Sequence, residues 1–157
     1  MSDLIVVKDG ELAFNYNGEN PELMRERILQ FKDALMALPS DEKVEFPVEH
    51  VFVDGMYMRK MFAPKGQIVV GKIHKKPCIN FVEYGDISVL TESGFARVKA
   101  GFTLVSPAGI MKVGIAHEDT MFINVFRTDK TTIEEVEQEI ACEDYAELAL
   151  EYIGETP

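Results

Sequence analysis

Between Glu49 and Thr128 the chain has no helical periodicity and is interrupted every few residues by turn formers, which constrains its fold more than any other feature. Short β-rich runs at 67–73, 78–84, 86–91, 95–98, 102–105 and 120–126 alternate with Asp54-Gly55, Pro64-Lys65-Gly66, Gly85-Asp86, Ser93-Gly94, Pro107-Ala108-Gly109 and His117-Glu118-Asp119. Glycine supplies positive φ and proline a fixed φ at such corners. The expectation is a mainly β chain of closely spaced strands, folded as a jelly-roll barrel.

The flanks have a different period. Residues 4–16 form two short apolar runs around Asp9-Gly10, the signal of a hairpin. Asn20 suits an N-cap and Pro21 a first helical position, and Met24, Ile28, Phe31, Leu35 and Leu38 follow at helical spacing until Pro39. Residues 39–48 read as a linker. Beyond Lys130, Thr131 or Thr132 can cap a second helix with Ile133, Val136 and Ile140 inside, a break near Cys142, and resumption through Tyr145, Leu148, Tyr152 and Ile153 to Gly154. A chain of 157 residues fits one domain: an N-terminal hairpin and helix at 1–48, a barrel at 49–130 and an acidic helical segment at 131–157.

Composition limits the function classes. Apolar residues make up 46% and charged residues 27% of the chain, values of a globular domain with a core. No apolar run approaches the roughly 20 residues that span a bilayer, and MSDLIVVKDGE is not a leader, so a cytoplasmic protein without a membrane partner is expected. Cys78 and Cys142 are too few for a disulfide scaffold or a Cys-cluster zinc site and are expected reduced. The net charge of −11 argues against a nucleic-acid polymer as partner. That charge is segregated: residues 1–55 carry −7, residues 56–130 carry +5 and residues 131–157 carry −9. Two readings of the pattern stand: acidic flanks that neighbour a basic middle, in one chain or across an oligomer, and a merely solvated acidic face.

Within the basic middle two spaced patterns recur. Gly66, Lys72-Ile73-His74, Cys78 and Gly85 keep the intervals of a Gly, His-x-His, Glu, Gly motif, and Gly101, Pro107-Ala108-Gly109, Lys112 and Ala116 keep those of a Gly, Pro-x-Gly, His, Asn motif. In this frame the chain resembles the cupin superfamily, small double-stranded β-helix barrels. The phrases GKIHKKPCINFVEYGDISVLTESG and VSPAGIMKVGIAHEDT are also similar to small cupin-like proteins encoded by bacteriophages. That second resemblance implies the cytoplasm of an infected bacterium.

The resemblance implies a metal site of two His and a Glu from the first motif and a His from the second, yet of these positions only His74 is kept. Lys72, Cys78 and Lys112 stand at the others. Two ammonium groups beside one imidazole repel a divalent cation, so neither a metal nor another cofactor is expected, and His50 and His117 read as surface or structural histidines. Strand alternation with the motif frame directs Val70, Lys72 and His74 into the barrel, where Lys112 joins them, and positive groups in a concavity favour an anion. Arg59 offers a fork for phosphate or carboxylate, Tyr57 a stacking face and Asn80 an amide. The competing reading has Lys72 and Lys112 snorkel to the barrel mouth or pair with Glu83 or the acidic C-terminal helix. Cys78 reads as a buried thiol rather than a nucleophile.

The leading function is a non-enzymatic binder of a small anionic, nucleotide-like ligand; for a bacteriophage protein this implies sequestration of a host immune signal. Two alternatives stand beside it. One is a metal-independent epimerase- or isomerase-like cupin with His74 as base and Tyr57 as acid, and the other is an assembly protein with a filled barrel. A homo-oligomer is expected, with the LIVV run near the start adding to a partner's sheet edge.

Overall fold

In the computed structural model, which describes residues 4–39, 41 and 44–148, β1 (Ile5–Lys8) and β2 (Glu11–Phe14) precede α1 (Pro21–Met36). The central region gives β3 (Val48–Val53), β4 (Met56–Ala63), β5 (Ile68–Val70), β6 (Ile73–His74) and β7 (Cys78–Tyr84). It continues with β8 (Asp86–Thr91), β9 (Gly94–Lys99), β10 (Thr103–Ser106), β11 (Val113–Ala116) and β12 (Thr120–Arg127). Then come α2 (Ile133–Ile140), β13 (Ala141–Cys142) and a helical turn at 145–148. The expected helix beyond 148 lies outside the described residues.

Two antiparallel sheets make the barrel, one of order β10-β7-β12-β4-β3 and one of order β5-β11-β8-β9. The chain is mainly β and of jelly-roll type, as its turn spacing requires. Gly66, Gly85, Gly101 and Gly109, the motif glycines, all take positive φ, from 83° to 108°. At Gly85 the requirement is doubled, because a Cβ would meet the Asp119 carbonyl oxygen and the Thr120 Cα at 2.6 Å. Three readings are corrected here. The run 67–73 breaks at Gly71-Lys72 into β5, which pairs with β11, and β6, which pairs with β13. The strand β11 carried no alternation signal because all four of its residues are buried, with both faces covered. The Glu49 boundary moves one residue earlier, to Val48, where β3 begins, and His50 lies inside that strand opposite Arg59.

The outer face of the four-stranded sheet is covered by the N-terminal segment. Leu4, Phe14, Met24 and Ile28 pack on Leu90, Val113 and Ile115, each fully buried aliphatic side chain contributing about 1.5–3 kcal/mol. The α1 cap forms as expected, with the Leu23 N–H donating to Asn20 Oδ1 at 3.2 Å and Pro21 opening the helix. The helix stops at Met36, so Leu38 is exposed, and the buried stripe of Met24 and Ile28 is extended by Lys32. Its ammonium donates to the Glu143 carbonyl at 3.1 Å and to Glu143 Oε2 at 3.2 Å. Thr132 caps α2 by accepting from the Glu135 N–H, and Val136 and Ile140 close one end of the barrel against Tyr57, Cys78 and Phe126. Among the described residues nothing covers the outer face of the five-stranded sheet, where Val51, Val53, Met56, Ile79 and Val105 are exposed. No described helix is long and apolar enough to cross a membrane.

Candidate ligand-binding cavity

Strand pairing sets a polar row across the inner face of the five-stranded sheet. In register, Leu104 of β10 lies opposite Asn80 of β7, Asn80 opposite Asn124 of β12, Asn124 opposite Arg59 of β4, and Arg59 opposite His50 of β3. The next inward row toward the β4–β12 ends carries Phe122 and Met61, which face Ile87, Val89 and Gly114 of the other sheet. Between the sheets lies a cavity of ≈ 660 Å³ whose polar lining includes Arg59, Asn124, His74 and Lys112. A smaller cavity of ≈ 380 Å³ adjoins it and shares Lys112, Val89 and Phe122 as lining. The barrel interior is therefore open rather than filled.

Backbone hydrogen bonds lay the two sequence motifs side by side. The His74 N–H donates to the Ile110 carbonyl at 3.0 Å, the Gly109 N–H to the His74 carbonyl at 2.7 Å, and the Gly71 N–H to the Lys112 carbonyl at 2.9 Å. Pro107-Ala108-Gly109 thus turns the chain so that Lys112 enters the barrel beside His74 and Cys78. Cys78 Sγ lies 3.9 Å from His74 Nδ1 and 3.5 Å from Asn80 Oδ1, and both cysteines are free and buried.

The electrostatics of this centre are unbalanced. Among the described residues, neither Lys112 Nζ nor Asn124 Oδ1, both buried, has a hydrogen-bond partner. Arg59 has no hydrogen-bond or ion-pair partner among the described residues. A buried donor left unpaired costs about 1–3 kcal/mol, and more when charged. Burial pushes the Lys112 ammonium below its ordinary value, opposed by the nearby Cys78 thiol. Burial, reinforced by Lys112 and Arg59, lowers His74 to about 3, so its imidazole is neutral at physiological pH. Burial raises the Cys78 thiol, against the pull of Lys112 and of hydrogen bonds to Asn80 and Ser106.

Of the residues expected at the site, Arg59, His74, Asn80 and Lys112 line the connected cavities, Lys72 lines the larger one at its mouth, and Tyr57 lines neither. Lys72 follows the break at Gly71, so alternation does not carry its ammonium inward. It reaches Glu143 Oε1 at 3.3 Å with 55% of the side chain exposed, pairing with the acidic C-terminal segment. Tyr57 is fully buried among Phe52, Phe126 and Val136, its hydroxyl 2.6 Å from His50 Nδ1, and it offers no face to either cavity. His117 lies 2.7 Å from Ser88 Oγ and is structural. Sequence reasoning missed Asn124, although an amide in the apolar strand TMFINVFR, two residues from the inward Phe122 and Phe126, is a readable signal of a polar interior.

The residues at the four cupin ligand positions do not fit a divalent metal. One is an orphaned buried amine, one points out onto a carboxylate, one is a thiol held protonated by burial, and only His74 remains. Among the described residues no group of three or more His, Cys, Asp or Glu is placed to hold an ion.

No protein-family model matches the sequence and no curated protein matches it. Solved structures do. The DMSP lyase DddQ from Ruegeria pomeroyi DSS-3 superposes with a TM-score of 0.52 at 18% identity, over 61% of this chain and 53% of that one, about half its length. KdgF from Halomonas sp. gives 0.49 at 20% identity over 57% and 86%. A cupin superfamily protein from Desulfitobacterium hafniense DCB-2 gives 0.47 at 8% identity over 60% and 87%. These are likenesses of fold alone, and the fold is the cupin-like jelly-roll barrel that the two sheets form.

Proposed function

We propose that this protein binds a small anionic, nucleotide-like molecule in the cavity between its sheets and does not turn it over. The observation that carries the reading is the pair of basic groups, Arg59 and Lys112, that have no hydrogen-bond or ion-pair partner among the described residues, at a cavity of ≈ 660 Å³. A phosphate or carboxylate would accept charge-assisted hydrogen bonds from both, and a donor on the ligand would satisfy Asn124 Oδ1. Glu45 and Glu137 also line the larger cavity, and they bias it toward a ligand that places its charge at the Arg59 and Lys112 end. The metal-independent enzyme is disfavoured by the same geometry. An imidazole lowered to about 3 is a weak base, and the proposed acid, Tyr57, lines neither cavity and is raised by burial to about 12. In the bacteriophage setting implied by the sequence resemblance, such a binder would hold a host signalling nucleotide stoichiometrically.

Calorimetric titration against mononucleotides, cyclic dinucleotides and phosphosugars, in buffers of different ionisation enthalpy, tests the reading. Toward alkaline pH binding is expected to take up protons, because an anion beside Lys112 favours the ammonium that burial disfavours. Binding by no member of the panel would remove it.

Self-association belongs to the same proposal. A second copy is the occupant that suits the bare face of the five-stranded sheet, since that face carries Glu49, Lys60, Glu83 and Arg127, which balance, in a chain whose net charge is −11. Lys60 and Glu83 already neutralise each other at 3.2 Å. Two copies can meet there without bringing like charges together. This face stands beside the expected LIVV edge, whose strand β1 pairs with β2 in a separate two-stranded sheet.

A further inference from the structure

The two cavities differ in kind. The larger holds Arg59, Asn124 and the mouth residues Lys72 and Glu137, whereas the smaller has no charged lining residue except the shared Lys112. Its walls are aromatic and amide- or hydroxyl-bearing: Phe95, Phe102, Tyr16, Asn80, Thr91 and Ser93. Phe95 and Phe102 remain 50% and 37% exposed although large and apolar, and the Phe95 ring has the Phe14 ring beside it at a centroid distance of 6.5 Å. Tyr16 is fixed in place by donating from its hydroxyl to the Glu92 carbonyl at 2.8 Å. The N-terminal segment, which precedes the barrel, therefore completes a wall of the smaller cavity.

We infer that the ligand is bipartite: an anionic group held by Arg59 and Lys112 in the larger cavity, joined to a planar aromatic ring seated in the smaller one. The inference rests on the anion-binding reading and adds to it a separate seat for the ring, in the smaller cavity. Lys112, Val89 and Phe122 stand where the two parts would join. Aromatic faces accept any flat ring, while the amides and hydroxyls around them pair with ring nitrogens and exocyclic groups, a combination that selects a nucleobase-like ring over an alkyl chain. An inorganic anion would use only half of the site.

The test compares inorganic phosphate, ribose 5-phosphate, phenyl phosphate, hexyl phosphate and the four nucleoside monophosphates on the whole protein and on two variants that plug the smaller cavity, Ala96→Phe and Thr91→Phe. Ala96 is exposed on β9 and lines that cavity, so the larger ring is added without disturbing a core contact. Phenyl phosphate and at least one nucleotide should bind roughly ten- to a hundred-fold more tightly than ribose 5-phosphate, the gain of one stacked ring. In either plugged variant that gain should collapse, and in Ala96→Phe ribose 5-phosphate binding is kept. Equal affinity across the phosphates, or an undiminished gain in a folded plugged variant, overturns the bipartite assignment and leaves anion binding intact. Tighter binding of hexyl than of phenyl phosphate overturns the aromatic assignment. Binding of no phosphate at all overturns both readings.

Discussion

Lys72 and Glu143 meet on the outside of the barrel, Nζ to Oε1 at 3.3 Å, and the same carboxylate accepts from Lys32 of α1 at 3.2 Å. Glu143 therefore ties the first helix, the β5–β6 break and the C-terminal segment together. Burial pushes its carboxyl up, but the hydrogen bonds and charges of Lys32 and Lys72 outweigh burial and hold it below the usual carboxylate range.

The two lysines of the cupin frame should consequently respond unequally. With both partners more than half exposed, the Lys72–Glu143 pair is worth at most about 1 kcal/mol, so Lys72→Met should change thermal stability little. Ligand affinity should fall less than threefold, against a loss of roughly ten- to a hundred-fold for Lys112→Met, which removes a charged hydrogen bond worth about 1.5–3 kcal/mol. Parallel titrations check this, and equal losses at the two positions would show that Lys72 holds the ligand as closely as Lys112 does.

Lys112→Met should also raise the melting temperature of the unliganded protein. The side chain keeps its volume while the orphaned amine disappears. The pH dependence follows from the lowered pKa: where the unfolded lysine is charged and the folded one resists charging, the unfolded state binds more protons, so stability rises with pH. Wild type should gain stability as pH rises toward the unfolded lysine pKa, about 10.4, and the variant should lose that part of the slope. Denaturant unfolding between pH 7 and 10 measures the difference.

Much of this arrangement was readable from residues 66–109. The intervals between Gly66, Gly85, Gly101 and Gly109 encode positive-φ corners, and those corners alone place His74 beside Ile110 and Lys112 inside the barrel. What was not readable depended on through-space partners. Alternation predicted an inward Lys72, but the irregular Gly71-Lys72 step re-aims it, and the carboxylate that receives it lies 71 residues away in the chain. Tyr57 has the right strand parity for the interior, yet α2 covers that end of the barrel and turns a candidate ligand contact into core. Tyr16 and Asn17 reach the smaller cavity only because the N-terminal segment wraps the barrel, which no local pattern encodes.

His74 should make the fold acid-labile. Its folded pKa of about 3 lies below the ordinary 6.5, so the unfolded state binds a proton that the folded state refuses over that window. Stability is complete above about pH 6.5 and falls as the pH drops toward 3, by on the order of 4 kcal/mol from this residue alone. His74→Gln, which keeps a polar side chain and leaves the backbone bonds to Ile110 and Gly109 in place, should flatten the stability profile between pH 3.5 and 6.5. Urea unfolding across that range is the measurement, and an unchanged slope would place the titrating group elsewhere.

The bare sheet face gives the last prediction. In register, Val105, Ile79, Val125, Met58 and Val51 form one outward row across all five strands, which a two-fold axis through β12 would superpose on its copy in reverse order. Apolar residues at the centre of such a row carry the association energy, and a charge there leaves an ion buried without a partner. Ile79 is 46% exposed in the single chain, so Ile79→Lys should not disturb the fold. Light scattering at micromolar concentration is expected to report a dimer for the wild type and a monomer for Ile79→Lys with an unaltered circular dichroism spectrum. The ligand cavity opens between the sheets rather than through this face, so the monomeric variant should bind anions as the wild type does. A wild type that is monomeric at that concentration ends the self-association reading, and a variant that stays dimeric moves the interface to another surface.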